Sequence, residues 1–249
     1  MRQSNSYIIL FTLVTTIFVG GTLALTSIAL GPRQAMSIEF DTKSQILNAV
    51  MDLGKNDNVL GIYEKRIVSL VVDSKGNEVT TDAKGQPIVA EKIDVAKNYK
   101  LKPEERYLPV FKYVSEQDPN KVEAYILPVY GNGLWDRIWG FVALDDQLTT
   151  IKGISFGHKA ETPGLGARIA DDPVVSGRFK DKKIYDTKGN LVSVEMVKGE
   201  KGEPLDDHHV DGMSGATMTG KGVNSMLKNY FENYQAYFEK VKASRVSGI

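Results

Sequence analysis

Residues 211–222 read Asp-Gly-Met-Ser-Gly-Ala-Thr-Met-Thr-Gly-Lys-Gly, and a regular apolar pattern begins directly after them. The apolar residues recur every three or four positions, which predicts a long C-terminal helix with one face in the core. That face consists of Val223, Met226, Leu227, Tyr230, Phe231, Tyr234, Phe238 and Val241. The glycine-rich stretch therefore leads straight into a helix whose apolar face another layer of structure must cover.

Upstream of this stretch, β-branched and aromatic residues are concentrated in short runs. The runs cover residues 67–72, 107–114, 122–130, 137–144 and 150–156. Short strands separated by turn residues indicate an antiparallel sheet rather than repeated βαβ units. The predicted fold class is α+β, in one domain with an antiparallel sheet and a long C-terminal helix.

Three further local patterns can be assigned. Residues 184–197 predict a hairpin around the turn Asp186-Thr-Lys-Gly-Asn190. Ser74-Lys-Gly-Asn77 and Ala83-Lys-Gly-Gln86 are typical of turns, with a polar, exposed stretch between them. A helix capped by Asp41 or Thr42 is expected to bury one apolar face. That face consists of Ile46, Leu47, Val50 and Leu53.

The N-terminal segment from Tyr7 to Leu30 contains 24 residues and no charge. About 20 apolar residues suffice for a helix to cross a bilayer, so the segment predicts a retained membrane anchor. The alternative is a cleaved signal peptide, for which Ser27-Ile-Ala29 resembles a cleavage site. Pro32 suits a helix boundary. We therefore expect an anchor over residues 1–34 and a soluble domain over residues 35–249.

The overall composition excludes several classes of protein. The chain has 31 Lys+Arg and 31 Asp+Glu, so its net charge is zero and a polybasic nucleic-acid binder is excluded. It has no cysteine, which excludes disulfides and clusters held by thiolates within the chain. A redox group, if there is one, must be held in another way.

The stretch 211–222 has the composition of a phosphate-binding loop. Glycines let a backbone approach an anion, and the N–H groups of a helix start attract one. Residues 215–222 also fit G-x-x-x-x-G-K, but Gly222 stands where a P-loop needs Ser or Thr. Residues 205–210 are too polar for the buried strand that precedes a P-loop. A nucleoside triphosphatase is excluded, and the alternative to a ligand site is a plain capped helix start.

The string from Asp211 to Thr217 resembles the D-G-x-S-G-A-T flavinylation motif of FMN-binding domains. The resemblance implies that Thr217 carries FMN through a phosphoester bond, which a dedicated flavin transferase makes from FAD. The phosphate would then lie where the N–H groups of the helix point. We expect the hydroxyl of Thr219 and the ammonium of Lys221 to add contacts.

Two further segments strengthen this resemblance. Residues 161–166, Glu-Thr-Pro-Gly-Leu-Gly, are similar to a loop that precedes the threonine motif in the same family. The resemblance implies contact with the isoalloxazine ring, with amides near Gly164 and Gly166 at its edge and Leu165 on its face. Residues 128–135, Pro-Val-Tyr-Gly-Asn-Gly-Leu-Trp, resemble a segment of the C subunits of sodium-translocating NADH:quinone reductases. Trp135 then packs either near the flavin or in the core.

The anchor and the three motifs occur in the order found in those C subunits. The resemblance implies an electron carrier in a bacterial inner-membrane complex that couples electron transfer from NADH to ubiquinone to sodium translocation. It implies a single-pass chain with a periplasmic domain, and as partners the other subunits, the flavin transferase and membrane lipid. The expected FMN-binding residues are Trp135, Glu161, Thr162, Gly164, Leu165, Gly166, Asp211, Ser214, Gly215, Ala216, Thr217, Thr219 and Lys221.

Two alternatives remain open from the sequence. One is the G subunit of an Rnf-type complex, which shares the anchor and the flavin motifs, and the other is a membrane-anchored binding domain without flavin. No catalytic residue is predicted, since no G-x-G-x-x-G follows a strand and residues 7–30 hold no acidic group for sodium. His208 and His209 are adjacent, which is more typical of a loop than of a metal site, so no metal is predicted.

Overall fold

The larger part of the chain is built on a five-stranded antiparallel sheet in which each strand pairs with its neighbour in sequence. A computed structural model describes residues 4–82, 84–203 and 205–246. The strands are β1 Ile67–Val72, β2 Leu108–Val114, β3 Val122–Asn132, β4 Arg137–Asp145 and β5 Ile151–His158. They match the predicted apolar runs to within a few residues, so the α+β prediction is confirmed.

Both faces of the sheet are buried, because successive side chains of a strand point to opposite sides. One face packs against the C-terminal helix α6, Thr217–Val246, as the apolar spacing predicted. In β3 this core contains Tyr125, Leu127 and Val129. Ile126, which lies between them, belongs to a second core on the opposite face. The sheet is therefore the middle of three layers.

The second core is covered by the end of a first long helix and by a short one. The first helix, α1, covers Asn5–Asn48, and Ile46 and Leu47 in its last turn are buried. The second, α2, covers Val59–Arg66 and begins where the Asn58 side chain accepts a hydrogen bond from Gly61 N. The remaining short helices are α3 Val95–Tyr99, α4 Arg168–Asp171 and α5 Pro173–Gly177.

Helix α1 corrects two predictions. It continues through Pro32, where a boundary was expected, because losing one backbone hydrogen bond does not end a long helix. The predicted cap at Asp41 or Thr42 is also wrong, since the Thr42 hydroxyl donates to Ile38 O within the same helix, at 2.8 Å. Among the described residues, α1 is the one helix long and apolar enough to cross a membrane, and it fits a single-pass anchor.

The chain divides into two compact units between Thr42 and Lys43. The sequence placed the division after residue 34, several residues earlier, near the proline that α1 passes through. The second unit contains the last turn of α1, and there Ser155 of β5 donates a hydrogen bond to Gln45 O at 2.8 Å. The second unit therefore begins within the stretch that the sequence predicted as the first helix of the soluble domain.

The predicted hairpin over residues 184–197 is only partly formed. Its turn is present, with Asp186 Oδ1 accepting hydrogen bonds from the N–H groups of Lys188 and Asn190, each at 2.8 Å. The arms share one bridge, and then Ser193 takes a left-handed conformation with φ 67°. The second arm, β6 Glu195–Met196, instead pairs in parallel with β7 His209–Val210. The reversal at Ser193 explains why the hairpin ends there and does not extend to Val197 as predicted.

Candidate functional site

Three segments meet at the beginning of α6. They are the turn between β3 and β4, the loop that follows β5, and residues 211–219, which lead into the helix. The helix lies close against the end of β3, because a Cβ atom added at Gly222 would overlap Asn132 O. These are the segments that carry the three sequence motifs, and the fold brings all of them together.

Glu161 is the residue that links the three segments. Its side chain is buried, with 4 % exposed. Glu161 Oε1 accepts a hydrogen bond from the backbone N–H of Trp135 at 3.0 Å. Glu161 Oε2 accepts one from the hydroxyl of Thr219 at 2.6 Å. Both carboxylate oxygens are therefore used inside the protein, one by each neighbouring segment.

Two glycines make the space for this carboxylate. A Cβ atom added at Gly133 would overlap Glu161 Oε1, and one added at Gly166 would overlap Glu161 Oε2. The Gly166 Cβ would also lie 2.5 Å from the Thr219 hydroxyl oxygen. The missing side chain of Gly166 leaves room for the bond between Glu161 and Thr219, and the expected contact of its amide with a ring edge stays a prediction.

Trp135 lies on the surface, with 68 % of the residue exposed, so the alternative that it packs in the core is wrong. Its ring is nevertheless fixed, because Nε1 donates a hydrogen bond to Thr162 Oγ1 at 3.1 Å. Its backbone N–H is held by Glu161, as described above. Trp135 is thus an exposed residue whose backbone and ring are each hydrogen-bonded to one of two adjacent residues of the neighbouring loop.

Other apolar side chains around the start of α6 are also exposed. They are Leu134, Leu165 and Met218. Leu165 lies against Gly215, where φ is +78° and an added Cβ would come 2.7 Å from Leu165 Cδ2. Exposed apolar groups gathered around polar groups are typical of a ligand-binding surface.

Two clefts adjoin this surface and share Asn132 and Gly133. The first, about 350 Å³, is also lined by Tyr99, Met218 and Lys221. The second, about 320 Å³, is lined by residues 132–137. An aromatic ring system therefore has room beside the turn between β3 and β4.

Thr217 is half-buried at the first position of α6, and Ser214 before it is exposed. Residues 214 and 215 form a turn that Ala216 N closes on Met213 O at 3.1 Å. Gly220 N donates to Ala216 O at 3.0 Å, so the N–H groups of residues 217–219 precede the hydrogen-bond ladder of the helix. These groups and the helix dipole favour an anion beside Thr217.

Thr219 and Asp211 have other partners than those expected. Thr219 is 1 % exposed and its hydroxyl is bonded to Glu161, so it is not available to a phosphate at the surface. The Asp211 carboxylate accepts hydrogen bonds from Gly202 N and Lys201 N, which hold its pKa below the usual value. Asp211 therefore fixes the loop at residues 201–202.

A group of charged residues supports the same segment from this loop. Arg178 Nη1 donates to Asp211 O at 3.2 Å and to Gly212 O at 2.5 Å. Glu200 pairs with Arg178 at 2.7 Å and with Arg168 at 2.8 Å. The hydrogen bonds from Arg168 and Arg178 lower the pKa of Glu200 to about 2. Sequence reasoning missed these residues, as it missed Gly133, Leu134 and Met218.

The remaining expected residues lie in the same region. Gly164 takes a left-handed turn with φ +73°, between Thr162 and Leu165.

The two adjacent histidines each have a hydrogen-bonding partner within the protein. His208 Nδ1 is 2.8 Å from Lys183 O, and His209 Nδ1 is 2.7 Å from Asp206 Oδ1. Within the described residues no group of three or more His, Asp or Glu side chains could hold a metal ion.

Comparison with known proteins identifies the family. Residues 133–232, which contain all three motifs in whole or in part, match the family of FMN-binding domains. The chain is 31 % identical to the C subunit of the Na(+)-translocating NADH-quinone reductase of Haemophilus ducreyi, covering 95 % of this chain and 93 % of that protein. It is 33 % identical to the corresponding C subunit from Pseudomonas aeruginosa, covering 93 % of each chain.

The chain belongs to the family of C subunits of Na(+)-translocating NADH-quinone reductases. Solved structures of this family have the same fold. The C subunit from Parabacteroides distasonis is 34 % identical, with a TM-score of 0.70 over 84 % of this chain and 96 % of that one. NqrC of Shewanella oneidensis is 29 % identical, with a TM-score of 0.69 over 82 % and 98 %. The resemblance drawn from the three motifs is confirmed.

Proposed function

We propose that this chain is the subunit of a sodium-translocating NADH:ubiquinone reductase that carries FMN bound covalently to Thr217. The observation that carries the proposal is that the FMN-binding match, residues 133–232, takes in the three segments that meet at the start of α6. Both the family membership and the site geometry support a flavin subunit over the alternative of a binding domain without flavin.

The residues at the site suit both parts of FMN. Exposed Trp135, Leu134, Leu165 and Met218 offer apolar surface to an aromatic ring system. The start of α6, with Lys221 nearby, offers N–H groups and a positive charge to the phosphate. When bound, FMN supplies electron transfer, while the protein supplies position and electrostatics.

Attachment requires a nucleophile and a leaving group. In the proposed modification a new bond forms between Thr217 Oγ1 and the flavin-side phosphorus of FAD. The pyrophosphate bond breaks, AMP leaves, and the hydroxyl proton of Thr217 is lost. No electron is transferred in this step. This chain contributes the nucleophile, the half-buried hydroxyl of Thr217 at the beginning of α6. The reaction itself belongs to a flavin transferase, which we propose as the maturation partner.

Two features bear on the place of the subunit in the complex, the uncharged segment over residues 7–30 and the long helix α1. Residues 7–30 contain no acidic side chain, so we place the sodium path on other subunits, together with NADH oxidation and ubiquinone reduction. Helix α1 anchors the chain in membrane lipid, and we assign it to the bacterial inner membrane with the domain on the periplasmic side. The FMN of this chain is then one carrier between partner subunits.

The test is detection of flavin that survives denaturation. The full chain is expressed with and without a flavin transferase, and denaturing gels are viewed under ultraviolet light. We expect a fluorescent band for the wild type with the transferase, and none for Thr217→Val. Thr187→Val, which changes an exposed threonine in a distant turn, is the matched control and keeps the band. Equal fluorescence in Thr217→Val would move the attachment to another residue.

A second measurement tests the membership of the complex. The tagged chain is purified from mild detergent in a host that contains the remaining subunits. Recovery of an NADH-oxidising, quinone-reducing complex is expected, with sodium-dependent turnover. Recovery together with subunits of an Rnf-type complex would instead support that alternative.

A further inference from the structure

We propose that Glu161 acts as a positioning residue, which fixes Trp135 as a preformed wall for the flavin, and does not itself contact the cofactor. The proposal rests on the proposed function for the identity of the ligand. The position of Trp135 can also be measured in the chain without flavin, so the two can fail separately.

The Glu161 carboxylate is fully engaged inside the protein. Both of its oxygens face donors inside the protein, the Trp135 backbone N–H and the Thr219 hydroxyl. Gly133 and Gly166 close in on the same two oxygens. A side chain enclosed in this way has little freedom to reach a ligand at the surface. The role of the Glu161 carboxylate is to hold its two donors, the Trp135 N–H and the Thr219 hydroxyl, at a fixed separation.

The two donors belong to different parts of the site. Trp135 lies in the turn between β3 and β4, whereas Thr219 is in the first turn of α6, two residues after Thr217. Glu161 therefore ties the tryptophan to the helix start that holds the attachment residue. The backbone N–H of Glu161 is itself bonded to His158 Nδ1, at 3.3 Å, at the end of β5. The sheet thereby anchors the carboxylate.

The Trp135 ring is hydrogen-bonded although it is exposed. An exposed side chain normally moves among rotamers, but the Trp135 ring is held by Thr162, the neighbour of Glu161. Backbone and ring are thus attached to consecutive residues. A ring fixed before the ligand arrives loses less entropy on binding, which is the advantage of preorganisation.

Glutamine cannot replace this glutamate without loss. In Glu161→Gln, if the new amide oxygen accepts from the Trp135 N–H, the new NH₂ group faces the Thr219 hydroxyl, which must then find another acceptor. If the amide is flipped, its NH₂ group faces the Trp135 N–H. In the first orientation the NH₂ group can still donate to Thr219 Oγ1, so the tie to α6 is reversed in direction, whereas the flipped orientation breaks the tie to Trp135. In both cases two hydrogen bonds to a carboxylate become weaker bonds to a neutral amide, so Glu161→Gln loosens the anchor without leaving a cavity.

The experiment measures the mobility of Trp135 in the full chain in detergent. The only other tryptophan is Trp139, whose Nε1 donates to Gln45 Oε1, and Trp139→Phe leaves Trp135 as the single reporter. Fluorescence anisotropy and acrylamide quenching are recorded without flavin, well below the unfolding temperature. Glu161→Gln is expected to lower the anisotropy and increase the quenching. Glu232→Gln, an exposed glutamate on α6, is the matched control and is expected to change neither.

Two further variants keep the test decisive if Glu161→Gln does not fold. Thr162→Val removes only the bond to the ring, and it is expected to free Trp135 without lowering the melting temperature. Thr219→Val removes the tie to α6 and is expected to loosen Trp135 less than Thr162→Val. Unchanged anisotropy in the folded Glu161→Gln chain, or in both threonine variants, would overturn the proposal.

The flavin arm separates the two hypotheses. With the transferase present, Glu161→Gln is expected to acquire covalent flavin but to show altered quenching of the flavin fluorescence. A wild-type chain that never acquires flavin would defeat the proposed function, and the measurements without flavin would still judge Glu161. An unchanged flavin spectrum together with a freed Trp135 would show that the tryptophan does not line the flavin site, which also overturns the proposal.

Discussion

Glu161 and Glu200 both support the start of α6 from a neighbouring loop, Glu161 directly through Thr219 and Glu200 through Arg178, but their surroundings differ. Glu161 is buried and accepts hydrogen bonds from uncharged donors. Glu200 lies near the surface and pairs with Arg168 and Arg178. Water can replace a lost partner at the surface but not in the buried site. The comparison indicates that the buried carboxylate sets the geometry of the site, whereas the exposed one adds little stability.

Removing the buried carboxylate should have the largest effect. Glu161→Ala leaves the buried Thr219 hydroxyl and the partly buried Trp135 N–H without their acceptor, and an unsatisfied buried donor costs about 1–3 kcal/mol. We expect the free energy of unfolding to fall by about 2–5 kcal/mol in total. Urea unfolding of the full chain in detergent measures it. Glu200→Ala serves as the comparison, and an equal loss in both variants would contradict the distinction between the two carboxylates.

Filling the space beside the carboxylate should be nearly as harmful. In Gly166→Ala the new Cβ overlaps Glu161 Oε2 and crowds the Thr219 hydroxyl, so one of them must move. Overpacking of this kind costs about 1–3 kcal/mol. Thermal unfolding measures the change. Gly177→Ala is the control, because nothing lies within 4 Å of its added Cβ, and it should leave the melting temperature unchanged or raise it.

Substitutions of two threonines that are two residues apart should affect different properties of the chain. Thr219→Val leaves Glu161 Oε2 without a buried donor and is expected to lower stability by about 1–2 kcal/mol. Thr217→Val should leave stability nearly unchanged and abolish covalent flavin. Unfolding curves and gel fluorescence of both variants provide the cross-check. A stable Thr219→Val chain would mean that the bond to Glu161 does not contribute.

The exposed carboxylate should give the smallest effect, with a characteristic pH dependence. The guanidinium groups of Arg168 and Arg178 lower the pKa of Glu200 from 4.5 to about 2. A carboxylate with a lowered folded-state pKa stabilises the fold fully above its usual pKa, and this contribution is lost as the pH falls through the lowered value. We expect Glu200→Gln to cost less than about 1 kcal/mol at neutral pH.

The quantity to measure for Glu200 is the difference in the free energy of unfolding between the wild type and Glu200→Gln. That difference should be constant from neutral pH down to about pH 4.5 and then shrink towards pH 2. It should also shrink in high salt, because exposed charges are screened. A difference that grows on acidification would contradict the assignment of the shift to the two arginines.

Local patterns explain why most of the fold could be predicted. Each strand of the sheet is a run of apolar residues that indicates a buried strand by itself. The buried face of α6 is likewise visible in the spacing of three or four residues between its apolar side chains. The errors occurred where a local rule was outweighed. Pro32 did not end α1, and the left-handed Ser193 ended a predicted hairpin. No residue close in sequence to Pro32 or Ser193 indicates either outcome.

The site was predictable as a set of motifs but not as a set of contacts. The burial of Glu161 depends on Trp135, 26 positions away, and on Thr219, 58 positions away. Such pairings arise only when the sheet and α6 have packed. Gly133 and Met218 left weak signals, a second glycine beside Asn132 and an apolar residue inside a polar stretch. Neither signal identifies a function without the fold.

The order of the strands bears on when the site is completed. The five strands pair in the order in which they are synthesised, so each pairing can form from neighbouring chain. Helix α6 comes last and joins distant parts, as when the Tyr234 hydroxyl donates to Pro109 O across 125 positions. Thr217 reaches its place only after this docking. We therefore expect flavin attachment to follow folding, and a chain that keeps Thr217 but ends before Tyr234 to be a poor substrate for a transferase.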